Sequence, residues 1–359
     1  MGDANARTFT IDSNANVAYV IGTIIEFVNM SASAVTIAIT SDTGTTNIVV
    51  ANNSVTNSKA GLVFNWTGTA IGVEYYSNNI TYCSTGIIVS PTTSGDTSSY
   101  GILIHDNTVD NNYVWDGVFL DAVNHFHSDG IHLFGITGAT PSISVYNNRV
   151  GPNIGIYFTG NVFLENGASH RVYNNVLTAG SGSSPANGFV ALKSCTGTSY
   201  AVNNTIINVT GGTGVYSTAD GVVIEGNITA GASMTALSIA NSATITRCNK
   251  NVWGTTGTLD FYIDAGFYNW TTWRALNSST YDQNSLNTPS GCNTTTGALS
   301  AGSNAIDLAP TQSFFSTDIL GNARSGAWDA GAYEYGGLGT AGGSQLLGKS
   351  STLGKISIF

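Results

Sequence analysis

Val145-Tyr146-Asn147-Asn148-Arg149-Val150 is followed, 27 residues further on, by Val172-Tyr173-Asn174-Asn175-Val176-Leu177. The same pattern, apolar residues and then an Asn before a short β-rich run, recurs in both directions. It is anchored at Asn53, Asn79, Asn107, Asn148, Asn175, Asn204, Asn227 and Asn251, with intervals of 26, 28, 41, 27, 29, 23 and 24. Between the anchors lie second apolar runs that each open on Gly: Gly86-Ile-Ile-Val, Gly101-Ile-Leu-Ile, Gly155-Ile-Tyr-Phe, Gly188-Phe-Val-Ala-Leu and Gly221-Val-Val-Ile. A period in the twenties marks a repeat architecture. One such coil cannot bury its apolar side alone, whereas stacked copies share a continuous core. Asn tolerates the left-handed backbone of a sharp corner, and its side-chain amide can hydrogen-bond from coil to coil, as amides do in cross-β stacks. These features predict an all-β chain wound as a single-stranded right-handed parallel β-helix. A β-sandwich, the competing architecture, has no need of a fixed Asn spacing.

Composition agrees. Only 9% of the 359 residues are charged, against about a quarter in an ordinary soluble domain. A helical protein needs ionic outer faces, so an all-helical fold is excluded, and the plentiful Val, Ile, Tyr and Phe argue against disorder. Eleven scattered cations under a net charge of -10 make no phosphate-binding stripe, which excludes nucleic acid as a partner. No apolar run is long enough for membrane insertion. Cys83, Cys195, Cys248 and Cys292 lack zinc or disulfide-framework spacing and are expected as buried thiols. The first seven residues, Met1 to Arg7, lack the basic-then-apolar pattern of a secretory signal.

The repeat, over roughly residues 51–257, resembles that of the right-handed parallel β-helix proteins of the pectate-lyase-like superfamily. Residues 8–42 resemble a module of bacteriophage tail-fibre and tailspike virion proteins. The resemblance rests on Gly22-Thr-Ile-Ile-Glu-Phe-Val-Asn29 and Val35-Thr-Ile-Ala38. Residues 302–335 hold Gly302-Ser-Asn-Ala-Ile-Asp307, Thr317-Asp-Ile-Leu-Gly-Asn-Ala-Arg324 and Trp328-Asp-Ala-Gly-Ala-Tyr-Glu-Tyr335, and are similar to the closing segment of many bacterial and viral β-helix proteins. An open β-helix end is an exposed edge that must be covered, so Asp318, Arg324 and Glu334 are expected as ionic contacts of that cap. The expected organisation is an N-terminal β module (1–50), the β-helix (51–257), its end and cap (258–336) and a Gly-rich flexible tail (337–359). Gly343 to Ser350 in the tail matches the phosphate-loop pattern, but lacks the strand and helix that the mechanism needs.

Chemistry is expected where the spacing breaks. The 41-residue interval from Asn107 to Asn148 carries an insertion, and insertions in repeat proteins leave as loops on one face. His105, His125, His127 and His132 lie in or beside it, with Asp106, Asp110, Asp116, Asp121 and Asp129 and the aromatic residues Tyr113 and Trp115. Such a concentration in a chain poor in ionisable groups marks a candidate site. Alternate positions on a strand face the same way, so His125, His127 and Asp129 could hold a divalent metal or supply a base with its orienting carboxylate; no cofactor is expected. Asp116, Asp121 and Asp129 could furnish the carboxylate pair of a glycosidase. Arg149, Arg171 and Lys193, each 22 residues apart, could form a basic line. The resemblance implies that such a line would neutralise a uronate, as in lyases of β-helix type. Tyr146, Tyr157 and Tyr173, with Tyr113 and Trp115, are the candidate sugar-stacking residues.

Together these readings anticipate a virion-surface β-helix that binds host-surface polysaccharide and could depolymerise it. The virion resemblance implies a homotrimer with other virion proteins as partners. The alternatives are a secreted, extracellular polysaccharide lyase or glycoside hydrolase, and a non-catalytic structural or adhesive β-helix.

Overall fold

The structure, a computed structural model, describes residues 18–21, 24–26, 35–41, 45–56, 60–66, 68–91, 99–112, 128–134, 142–152, 154, 158–179, 187–232, 234–254, 261–276 and 280–336. The chain is a right-handed parallel β-helix with three faces. Each coil lays one strand in each of three sheets before rising to the next. Sheet A runs from Ala18–Ile21 through Ile48–Ala51, Glu74–Tyr76, Ile102–His105, Ile143–Tyr146, Arg171–Tyr173, Thr198–Val202 and Gly221–Glu225 to Ile245–Asn249. Sheet B follows one corner later in each coil, from Ile24–Glu26 to Val252–Gly254, and sheet C completes the coil, from Val35–Ser41 to Phe261–Ile263. Neighbouring strands pair in parallel with one-to-one register over most of their length. The anticipated boundary at residue 50 is no break in these sheets. Ala18–Ile21, Ile24–Glu26 and Val35–Ser41 pair in parallel with the coil above them. The last parallel strand of sheet C, Phe261–Ile263, likewise lies beyond residue 257.

Strand alternation sends every second side chain inward, and register stacks like on like. In sheet C, Leu62, Ile87, Ile131, Val162, Val190, Val215, Leu237 and Phe261 form one column in which each is fully buried. Each such side chain contributes about 1.5–3 kcal/mol of burial.

The corner from sheet A to sheet B explains the Asn pairs. The first member takes the left-handed conformation, with φ of 58° at Asn52, 55° at Asn147, 54° at Asn174 and 52° at Asn203. The second points inward and joins a buried ladder. Asn148 donates from Nδ2 and from its backbone N to Oδ1 of Asn175, each at 3.0 Å, and Asn175 does the same to Asn204. The ladder runs through Asn53, Asn78, Asn107, Asn148, Asn175, Asn204, Asn227 and Asn251. Its second rung is Asn78, not Asn79, because the left-handed residue there is Ser77 (φ 54°) and Asn79 opens the next strand with its side chain exposed.

The C-terminal end is closed by a plug. Asp282 accepts from Asn251 Nδ2 (3.1 Å), Trp253 Nε1 (2.9 Å) and Trp273 Nε1 (2.8 Å), which ends the amide ladder. Trp273 lies on the short helix Trp270–Arg274 and stacks between Phe261 and Tyr281. The rest of the cap does more than close the last coils. It folds back along the A-to-B corner: Asp329 meets Asn203, Thr317 and Arg324 meet Asn174, and Tyr333 meets Arg149. Within it Arg324 and Glu334 form an ion pair at 3.2 Å, and Asp318 accepts the backbone N–H groups of Leu320, Asn322 and Glu334. No disulfide joins the cysteines. No helix among the described residues is long and apolar enough to cross a membrane.

Candidate functional site

The insertion leaves sheet B after Thr108–Asp110 and returns at Ser128 into the sheet C strand Asp129–Leu133. Tyr113, Trp115, Asp116, Asp121, His125 and His127 on it, and Tyr157, lie outside the described residues. What the structure does describe is the strand that receives the insertion, and it carries the densest ionic cluster of sheet C.

Asp129 is fully buried where that strand begins. Its Oδ1 accepts from the Thr159 hydroxyl and from the Gly160 backbone N (3.0 Å). Its Oδ2 lies 3.1 Å from His132 Nδ1, and His132 Nε2 lies 3.7 Å from Glu165 Oε2, a charge-pair rather than hydrogen-bond distance. Glu165 Oε1 in turn accepts from Lys193 Nζ at 2.6 Å. Register builds this chain: His132 pairs with Phe163 and Glu165 with Lys193 across successive coils. Phe163 is the floor. The His132 ring stacks on it at 4.9 Å, and the Lys193 ammonium sits 5.6 Å from its centroid. Phe134, at the far end of the strand, packs beside His132 at 4.8 Å and stays partly exposed.

The electrostatics follow from this packing. Burial pulls the His132 imidazole down, but Asp129 and Glu165 outweigh burial and hold its pKa up at about 9. Glu165 is held down at about 2, first by His132 and then, against the opposing effect of burial, by Lys193. The result alternates in sign: carboxylate, imidazolium, carboxylate, ammonium. Lys193 and Glu165 form its accessible end, with side chains 44% and 22% exposed. Groups titrating so far from neutrality exchange protons poorly near pH 7, whereas fixed charges of both signs suit a ligand rich in hydroxyls.

Three residues anticipated from sequence therefore meet here: Asp129, His132 and Lys193. The basic line does not form. Arg149 lies in sheet B, Arg171 in sheet A and Lys193 in sheet C. Coils in this part of the chain take 27 and 29 residues, so a step of 22 falls one sheet short each time. Arg149 donates to the Tyr333 hydroxyl, and Arg171 lies over the Phe314 ring at 4.7 Å, so both serve the cap.

Tyr146 and Tyr173 are not open sugar platforms either. They belong to an outward column on sheet A, Tyr76–His105–Tyr146–Tyr173–Phe315, stacked at 4.6–5.3 Å. Each has a neighbour on both ring faces and presents only an edge. His105 in this column is bracketed by Glu74 (2.8 Å) and Asp106 (2.7 Å). Burial works against its charge, but the two carboxylates prevail and raise its pKa.

Glu165, Thr159 and Phe163 escaped sequence reasoning. Glu165 was findable: it precedes Lys193 by 28 residues, one coil at this height. A cleft of about 310 Å³ lies elsewhere, at the C-terminal end of sheet A. Its Arg247 is committed to Glu225 through two hydrogen bonds of 3.1 Å.

No protein-family model matches the chain, and no curated protein does. Among solved structures, the crystal structure of pectate lyase Pel9A is similar at a TM-score of 0.35 and 17% identity, over 92% of this chain and 86% of that one.

Proposed function

We propose that this protein binds polysaccharide on sheet C, at the surface formed by Glu165 and Lys193 beside His132, over the buried Phe163 ring. The observation that carries this reading is the coincidence of two independent features. The one large break in the repeat spacing returns into the strand bearing Asp129 and His132, and that strand begins an ordered chain of alternating charges ending at the accessible Glu165 and Lys193. A β-helix offers an extended face suited to an extended polymer. The pKa values near 9 and 2 favour binding over proton transfer by the described groups. A depolymerase would draw its acid or base from elsewhere in residues 105–132, with Asp116, Asp121, His125 and His127 as the candidates.

The biological setting we infer is a virion surface, with other virion proteins as partners and host-surface polysaccharide as ligand. This setting is supported by the tail-fibre-like stretch of residues 8–42, which also suggests a trimer. A secreted lyase or hydrolase acting alone is the competing setting, and release of unsaturated or reducing sugars by a monomer would favour it.

The test is native affinity electrophoresis through gels containing polygalacturonate, alginate, hyaluronan or dextran. Wild-type protein is expected to be retarded by at least one. His132→Ala and Lys193→Ala should each weaken that interaction by about tenfold, the scale of one lost charge-assisted contact. Retardation of both variants to the same extent as wild type would move the site away from sheet C.

A further inference from the structure

Tyr82 stands at the corner from sheet B to sheet C, one coil before the insertion. Its φ is 56°, a left-handed conformation that costs a bulky L-residue. At the A-to-B corners this conformation is held mostly by Asn, Asp, Ser or Gly, with Lys250 (φ 56°) the exception. In the next coil Thr81 pairs with Asp110, and the residue that follows Asp110 is Asn111, with φ of 52°. Among the described residues Tyr82 is the one aromatic with positive φ. Burial does not offset this strain, because Tyr82 is 51% exposed. A strained conformation held by an exposed ring points to a use for the ring.

The place of the ring suggests that use. Tyr82 precedes Thr85 by three residues, and Thr85 is the register partner of Asp129. Chain geometry and strand spacing therefore put the Tyr82 Cα within roughly 12 Å of that of Asp129. The corner is tied to the site strand directly, since the Ser128 hydroxyl donates to the Ser84 carbonyl at 2.6 Å. Along the strand direction Tyr82 lies beyond the Asp129 end of the site, six residues before Ile88, the register partner of His132, and Glu165 and Lys193 lie past His132 toward the other end. Unlike Tyr146 and Tyr173, it stands outside the sheet A column.

We propose that Tyr82 is a stacking residue of the sheet C site, taking the apolar face of a pyranose ring while Glu165 and Lys193 engage hydroxyls or a carboxylate further along the same chain. This rests on the polysaccharide-binding reading and adds a subsite to it. The corner geometry supplies a test that separates function from folding. Tyr82→Asn places at this corner the residue type that the next coil uses. It should keep or raise the melting temperature while weakening retardation by the polysaccharide that the wild type binds by about tenfold. Tyr82→Trp should bind within a few-fold of wild type. Unchanged retardation of Tyr82→Asn would overturn the proposal, and so would a melting temperature lowered by several degrees, which would make the ring structural. If none of the four polysaccharides retards the wild type, the binding reading itself fails, and that outcome is visible before any variant is made.

Discussion

His170 and His132 show how opposite environments tune one side chain. His170 is fully buried, with Nδ1 accepting from the Ile143 N–H at 3.1 Å and Nε2 donating to the Asn166 carbonyl at 2.6 Å. Both nitrogens are thus used in the neutral form, and a second proton would face an N–H. Burial drives its pKa down to about 4, against the opposing bond to Asn166. The unfolded chain takes up this proton near pH 6.5, so His170 makes the fold less stable as pH falls from there toward 4. His132 works in the other direction. Its stabilisation is complete below about 6.5 and is lost as pH rises through about 9. From about pH 6.5 down to about pH 5, unfolding free energy should fall with a slope approaching ~1.4 kcal/mol per pH unit. His170→Gln should flatten that slope in urea titrations; an equally steep slope in the variant would assign the effect to another group. The Asn pairs teach a second lesson at this scale. Two adjacent Asn residues look interchangeable in sequence, yet one bends the backbone and the other bonds the ladder. At Asn78-Asn79 the pair is shifted by one: Ser77 bends the backbone, Asn78 bonds the ladder and Asn79 opens the next strand.

At the scale of the element, strands were legible because alternation is a local property, whereas the ends of ladders were not. Asp282 ends the Asn ladder from outside the repeat, 31 residues after Asn251. It is fully buried and accepts from both indoles as well. Asp282→Ala would leave the two indole N–H groups without a partner, at a cost of about 3 kcal/mol or more. Asp282→Asn, which keeps one acceptor oxygen, should cost less. Equal urea midpoints for Asp282→Ala and wild type would show that the plug tolerates an open ladder. The insertion is the converse case: its position was read from spacing, but the partners of the strand that receives it come from later coils, Phe163 and Glu165 from the next and Lys193 from the one after.

For the whole molecule, a β-helix is nearly one-dimensional, each coil touching chiefly its neighbours. The C-terminal segment breaks that rule. By folding back along the A-to-B corner it links Arg149, Asn174, Asn203 and Gly226 to one run of chain, residues 296–333. These coils share a staple, and among the described residues no such contact reaches the coils before Arg149. Native-state hydrogen exchange should therefore show the strands between residues 48 and 110 opening at lower free energy than those between 143 and 254. Uniform protection along the axis would mean that the staple adds nothing to coil-to-coil pairing.

Sequence alone determined the winding. A repeated coil, inward alternation and an Asn at each corner are local and periodic, and each copy reinforces the same solution. The poverty of charge belongs with this, since stacked amides and apolar columns need few ions. Only the tertiary structure decided which face each residue occupies. Coils here vary from 23 to 41 residues, so equal spacing in sequence does not mean equal height or equal sheet. A step of 22 residues against coils of 27 and 29 scattered Arg149, Arg171 and Lys193 over three sheets. Strand register brought Asp129, His132, Glu165 and Lys193 together on one.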